Sequence, residues 1–271
     1  MKKSHLIVVR GAGDIATGAI QKLMRSGFPV MCTEISKPSA IRRYVALSEA
    51  VYEKSWTVED ITAVHVNSIS EAWIAVENGK VPIIVDPNCN ILNEVKPMAV
   101  VDAILAKKNL GMKKSIAPIT IALGPGFTAG VDADMVVETM RGHNLGRIIM
   151  EGSAMPNTGI PGIISGFGKE RVIHASSAGT IHNVKKIGDT VIKGETIATI
   201  DRQPVLASLD GILRGLIRDG YEVTKGFKIA DIDPRNEVKS NCFTISDKAR
   251  CIGGSVLEGI LMLHKKAAGT L

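Results

Sequence analysis

Aromatic side chains are scarce in this chain: five Phe, three Tyr and two Trp make up 4% of 271 residues. That shortage argues against extended base stacking and against an aromatic sugar-binding platform. Cysteine is sparse too. Cys32, Cys89, Cys242 and Cys251 form no CxxC pair and show no metal-ligand spacing, so no metal site is expected and a reduced, cytoplasmic setting fits. No apolar run reaches transmembrane length. The opening Met1-Lys2-Lys3 imitates a signal peptide's charged start, yet the apolar run Leu6–Val9 stops at Arg10-Gly11. Concentrated positive charge is also missing. The net charge of +6 comes from 33 basic and 27 acidic residues, and basic runs go no further than pairs such as Lys107-Lys108 and Lys185-Lys186. Nucleic acid and membrane are therefore not expected as partners; a small anionic ligand is.

What the chain has in quantity is small and aliphatic. At 45% hydrophobic and 22% charged, with 27 glycines, it builds a substantial core and excludes disorder, collagen and coiled coil. The first half reads as strand–helix units. Short apolar runs at Leu6–Val9, Val30–Thr33, Ala63–Val66, Val81–Val85 and Ile119–Leu123 predict strands buried on both faces. Ala16, Ile20, Leu23 and Met24 fall at helical spacing before Gly27, and further helices are expected over Ser70–Asn78 and Met98–Lys108.

From residue 179 the chain repeats itself at an offset of 32. Gly179, Gly188, Val191, Lys193, Gly194, Ile197, Ala198, Ile200 and Asp201 align without a gap on Gly211, Gly220, Val223, Lys225, Gly226, Ile229, Ala230, Ile232 and Asp233. Neither half can bury its apolar face alone, so the two are expected to interlock as one small β-sandwich. The pattern resembles the biotinyl/lipoyl-type hammerhead barrel. At the tip where that family carries its prosthetic lysine, this chain has Asp201-Arg202-Gln203-Pro204-Val205, so no biotin or lipoate is expected. A last helix is predicted from Ser246 to about Lys266, with Ser246 as its cap and Ala249, Ile252, Val256, Ile260 and Leu263 as its apolar stripe. Gly253-Gly254 within it predicts close packing on another backbone.

The expected architecture is therefore α/β: a Rossmann-like, mostly parallel sheet domain over residues 1–172, a small all-β barrel-sandwich hybrid over 173–235, and a C-terminal helix within 236–271. The sharpest motif is Gly11-Ala12-Gly13-Asp14-Ile15-Ala16, which fits G-x-G-x-x-A between a strand and a helix. Gly11 permits the tight turn, Gly13 lets a ligand approach the backbone, and amides at the helix start favour an anion. Glu34, ending the second strand, is placed to accept hydrogen bonds from a ribose and suits NAD better than NADP. Asp14 opposes a pyrophosphate: either it caps the helix or the ligand presents donors there. A second glycine turn, Gly124-Pro125-Gly126, follows another strand and is a candidate anion nest. Arg141, His143 and Arg147 are candidates for a clamp on a phosphate or pterin edge. Glu151, Ser153, Asn157, Thr158 and Gly159 form a further polar loop. Cys89 is more readily a buried, inert thiol than a reactive one, and His174 and His182 are not expected to hold a metal.

Several longer blocks carry a resemblance. Arg10 to Gly18, Ala40-Ile41-Arg42-Arg43, Ser48 to Tyr52, Val101 to Asn109, Leu123 to Phe127, Arg141 to Arg147, Pro156 to Gly162 and Ile245 to Arg250 together resemble the YqeB-type accessory proteins of selenium-dependent molybdenum hydroxylases. The resemblance implies a role in maturing such enzymes by handling the molybdenum cofactor or its selenium ligand, with an apo-hydroxylase as partner. On that reading the cofactor is a pterin or a nucleotide held by Gly11, Gly13, Gly124 and Gly126. Arg141, His143 and Arg147 complete the clamp. An NAD-dependent oxidoreductase and a non-catalytic docking scaffold are the alternatives. Enzyme status stays open, and a homodimer rests on base rates alone.

Overall fold

The computed structural model describes residues 3–159 and 162–267. The chain divides into two compact units: the first holds residues 1–38, 46–157 and 245–271, the second 39–45 and 158–244. The boundaries thus fall after Pro38, Val45, Asn157 and Thr244.

The first unit opens with β1 (Ile7–Arg10), α1 (Asp14–Arg25) and β2 (Val30–Glu34). A short helix α2 (Ala50–Glu53) leads to β3 (Ser55–Val58), β4 (Ile61–Val66), α3 (Ile69–Glu77) and β5 (Val81–Val85). Then come β6 (Ala99–Asp102), β7 (Ile119–Leu123), β8 (Thr128–Ala129), β9 (Met135–Val137), β10 (Ile148–Ile149) and β11 (Gly152–Ser153). Nine of these form one sheet in the order β10-β9-β7-β6-β1-β2-β5-β4-β3. It is parallel from β9 to β4 and carries an antiparallel strand at each edge. The four residues of β1 are all buried, as the unbroken run Ile-Val-Val requires of a strand covered on both faces. Alternate residues serve opposite sides: Leu6, Val8, Met31, Val100 and Val136 pack with Ala72 and Val76 of α3.

The other side belongs to α1 and to the C-terminal helix α4 (Asp247–Ala267). Ser246 caps α4 by accepting the Ala249 N–H at 3.2 Å. Its stripe is buried at Ala249, Ile252, Val256 and Ile260. Close packing falls on Gly253, where a Cβ would lie 2.5 Å from the Gly18 carbonyl oxygen; at Gly254 a Cβ meets nothing within 4 Å.

Two expectations are corrected here. Counted in chain order, the parallel strands run 7-6-5-1-2-4-3, because β5 lies between β2 and β4; a dinucleotide-binding Rossmann sheet runs 3-2-1-4-5-6. Hydrophobic runs identify buried strands but carry no information on their order. The helix expected over Met98–Lys108 is instead β6 followed by a loop, since Ala99-Val100-Val101 pairs into the sheet between β1 and β7. A short apolar run satisfies both periods, and the β-branched content decides for strand.

The second unit consists of β12 (Val172–His174), β13 (Gly179–Asn183), β14 (Thr190–Val191), β15 (Thr196–Ile200), β16 (Gln203–Leu206), β17 (Gly211–Leu216), β18 (Glu222–Val223) and β19 (Lys228–Asp233). They form two four-stranded antiparallel sheets, β12-β19-β17-β14 and β16-β15-β13-β18. Adding the repeat offset carries β12 to β15 onto β16 to β19 and exchanges the two sheet orders. Ile181, Ile197 and Ile200 share one core with Leu213, Ile229 and Ile232. Neither sheet closes on itself. The strands β12, β14, β16 and β18 remain edges, so this unit is two open sheets and not the barrel-sandwich hybrid expected from the repeat. Asp201 and Arg202, at the sequence-predicted tip, form a left-handed turn with φ of 45° and 77°. His174 and His182 are exposed.

Candidate functional site at the carboxyl end of the large sheet

Parallel strands bring their carboxyl ends to one side, where ligands of open α/β sheets bind. Here that side gathers Arg10, the turn Gly11-Ala12-Gly13, Thr33, Glu34, Asp86, Cys89 and Asp102. Arg10 ends β1 and Asp102 ends β6; the two are register partners. Their side chains pair at 2.6 Å with 3% and 1% exposure. Arg10 also donates to the Leu110 carbonyl at 2.7 Å, and its Nε is buried without a hydrogen-bond partner. Burial pushes the Asp102 carboxyl up, with the Arg10 charge opposing.

The two glycines of the first turn differ in what holds them. Gly11 has φ +87°, and a Cβ there would lie 3.0 Å from the Ile104 backbone. Its own fold therefore demands glycine. Gly13 has φ −67° and ψ −176°, open to any residue, and a Cβ there meets nothing within 4 Å. It starts α1, and no side chain caps that helix from the Gly13 position. Asp14, the first residue of α1, turns its carboxylate to the Ile15 N–H at 2.9 Å.

Glu34 is fixed from both sides: Oε2 accepts the Ala12 N–H and Oε1 the Ile35 N–H, each at 2.9 Å. Burial pushes its carboxyl up and these two N–H groups pull it down, with burial prevailing. Behind the turn, the Ser48 N–H donates to the Ala12 carbonyl at 2.8 Å and Leu47 N–H to Thr17 Oγ1 at 3.0 Å. The strand end, the turn and the segment around Ser48 form one hydrogen-bonded frame. The sequence around Ser48 carries no local sign of this role, since the segment is only a 3₁₀ turn over Leu47–Glu49.

The second glycine turn is a packing junction. A Cβ on Gly124 would sit 2.5 Å from Thr139 Oγ1, and one on Gly126 2.7 Å from Lys108. Both faces that a ligand needs are occupied by the chain itself. Arg141, His143 and Arg147 lie exposed on the β9–β10 connection. Arg141 forms a two-pronged pair with Asp247 at 2.8 and 3.0 Å. Among the described residues, neither His143 nor Arg147 makes a side-chain hydrogen bond to either glycine turn. The structure thus joins Gly11, Ala12, Gly13, Asp14, Ile15 and Glu34, and gives Gly124 and Gly126 to packing. Of the polar loop, Ser153 Oγ meets Thr128 Oγ1 at 3.0 Å; Ile160 and Pro161 of the adjacent block lie outside the described residues.

Cys89 follows β5 in a left-handed conformation, φ +59°, and is buried. Burial pushes its thiol up to about 11, against the opposing pull of Thr33 and Arg10. It is therefore a thiol, not a thiolate, at neutral pH.

The architecture is that of an α/β protein whose mixed nine-stranded sheet presents one open glycine turn at its carboxyl edge. No protein-family model matches the chain. It is 50% identical over 268 residues to the uncharacterized protein YqeB of Escherichia coli (strain K12), which supports a YqeB-type relationship. The alignment takes in 97% of this chain and 49% of that protein, so the chain spans about half the length of the curated relative. Solved structures aligned with it include a succinylglutamate desuccinylase from Silicibacter sp. TM1040, 12% identical with TM-score 0.26, covering 84% of both chains. Another is a succinylglutamate desuccinylase/aspartoacylase from Rhodobacter sphaeroides, 14% identical with TM-score 0.27, covering 86% of both. A third is the product-bound ectoine utilization protein EutE (DoeB) from Ruegeria pomeroyi, 14% identical with TM-score 0.24, covering 84% of this chain and 57% of that one.

These findings correct the expected function. The solved structures named are desuccinylase- and aspartoacylase-type proteins or an ectoine utilization protein, not molybdenum-hydroxylase maturation factors, and the curated relative's name carries no activity. The molybdenum, selenium and Rossmann assignments drop out with it. At these TM-scores the likeness transfers no activity to this chain. Among the described residues, no helix is long and apolar enough to cross a membrane.

Proposed function

We propose that the first unit binds a small, ribose-bearing anionic molecule of the nucleotide class at the Gly11–Gly13 turn. The observation that carries this reading is Gly13. Neither its backbone conformation nor its neighbours require glycine, so an approaching molecule supplies the reason for the missing side chain. Glu34 supports it from the adjacent strand. Each carboxylate oxygen accepts one backbone N–H and keeps lone-pair capacity for a hydroxyl donor. With the Ile15 N–H taken by Asp14, the ligand's negative charge lies toward the Gly13 amide and away from that carboxylate.

The test is a thermal-shift series with nucleoside mono-, di- and triphosphates, dinucleotides and inorganic phosphate. The expected result is a concentration-dependent rise in melting temperature with at least one nucleotide, reduced in Glu34→Gln and absent with phosphate alone. No shift with any nucleotide at millimolar concentration overturns the reading.

A further inference from the structure

We infer that Asp14 sets the phosphate count of the molecule held at the Gly11–Gly13 turn: a nucleoside monophosphate is taken in preference to a di- or triphosphate. The inference rests on the proposed function and adds the class of nucleotide to it. A loop that cradles a polyphosphate presents a run of unoccupied backbone N–H groups together with a lysine. Here the stretch from Gly11 to Thr17 contains neither lysine nor arginine. Two of its N–H groups already face carboxylates of the chain itself.

Ala12 donates to Glu34 Oε2 and Ile15 to Asp14 Oδ1, each at 2.9 Å. Asp14 is the first residue of α1, so its charge offsets the positive end of the helix dipole, the end that otherwise draws phosphate. Both acids are half-buried, which weakens the screening of their charge by salt. The guanidinium that ends β1 is committed elsewhere: Arg10 is buried against Asp102 at 2.6 Å and donates to the Leu110 carbonyl. The open side of the turn is at Gly13, where a Cβ meets nothing within 4 Å. One phosphate at the Gly13 amide uses that opening. Coulomb repulsion falls only with the inverse of distance, so each added phosphate is repelled by both carboxylates as well.

The experiment is calorimetric titration of the full chain with the four ribonucleoside 5′-mono-, di- and triphosphates, at low salt and without divalent cations. The wild type is expected to bind the monophosphate of the preferred base at least tenfold more tightly than its triphosphate. Asp14→Asn keeps an oxygen for the Ile15 N–H and removes the charge. It is expected to raise triphosphate affinity at least fivefold and monophosphate affinity less. Added salt narrows the wild-type gap, as screening requires. A triphosphate bound by the wild type as tightly as the monophosphate, or a preference unchanged in Asp14→Asn, overturns the inference and leaves a nucleotide site standing. No binding of any nucleotide by either protein overturns the proposed function, and this inference with it.

Discussion

Arg10 and Asp102 occupy register positions on adjacent parallel strands and pair at 2.6 Å with almost no exposure to solvent. The same guanidinium holds the Leu110 carbonyl, so the pair ties the ends of β1 and β6 to the loop that passes Gly11. Removing one partner leaves an uncompensated buried charge. Arg10→Met is expected to cost about 3–5 kcal/mol in denaturant unfolding, while Arg10→Met with Asp102→Leu recovers most of that loss. A single variant within 1 kcal/mol of wild type contradicts this role.

The contact of α1 with α4 turns on two glycines. Alanine at Gly18 overlaps the Ala249 carbonyl, and alanine at Gly253 lies 2.5 Å from the Gly18 oxygen. Both substitutions are expected to lower the melting temperature by several degrees. Gly254→Ala meets nothing and is expected to stabilise by about 0.5–1 kcal/mol through helix propensity. Equal effects at Gly253 and Gly254 contradict the packing described.

That pair shows what a sequence discloses. Gly253-Gly254 signals a close approach because two glycines inside an apolar stripe have no other local reason. Which of the two makes it depends on the rotation of α4 about its axis, a tertiary quantity. The five strands named from apolar runs stand where expected for the same kind of local reason. Position in the sheet is different. That β5 pairs with β2 depends on how the chain crosses the sheet, so the Rossmann order was not legible. Likewise Gly124 and Gly126 look like an anion nest in one dimension, and only the folded chain shows Thr139 and Lys108 filling the space. Glu34 was legible as a site residue. Its hold on the Ala12 N–H was not, because 22 residues separate them.

Thiol chemistry follows burial. Cys251 is exposed, whereas Cys32, Cys89 and Cys242 are buried and all three thiols are pushed up by burial. Titration of the native protein with a colorimetric disulfide reagent at pH 8 is expected to release one fast equivalent, abolished by Cys251→Ser. Fast reaction of Cys89 contradicts its placement.

Glu34 gives stability a pH slope of defined sign. Its folded-state value is raised, chiefly by burial. The fold therefore favours the protonated form: that stabilisation is complete below the ordinary glutamate range, about 4.3, and is lost as pH rises through the folded value. Relative to Glu34→Gln, the wild type is expected to lose melting temperature as pH rises from about 4.3 through the raised folded-state value. A relative gain over that interval means the N–H groups of Ala12 and Ile35 outweigh burial.

The central claim is that Gly13 is glycine for the sake of a bound molecule, and calorimetry on Gly13→Ala beside wild type tests it most directly. The account predicts that the variant folds with a loss of no more than about 1 kcal/mol from the poorer N-cap, since a Cβ there meets nothing within 4 Å, yet loses at least tenfold in affinity for the nucleotide that shifts the wild type. Equal affinity in the two proteins would contradict the account, as would a variant that fails to fold.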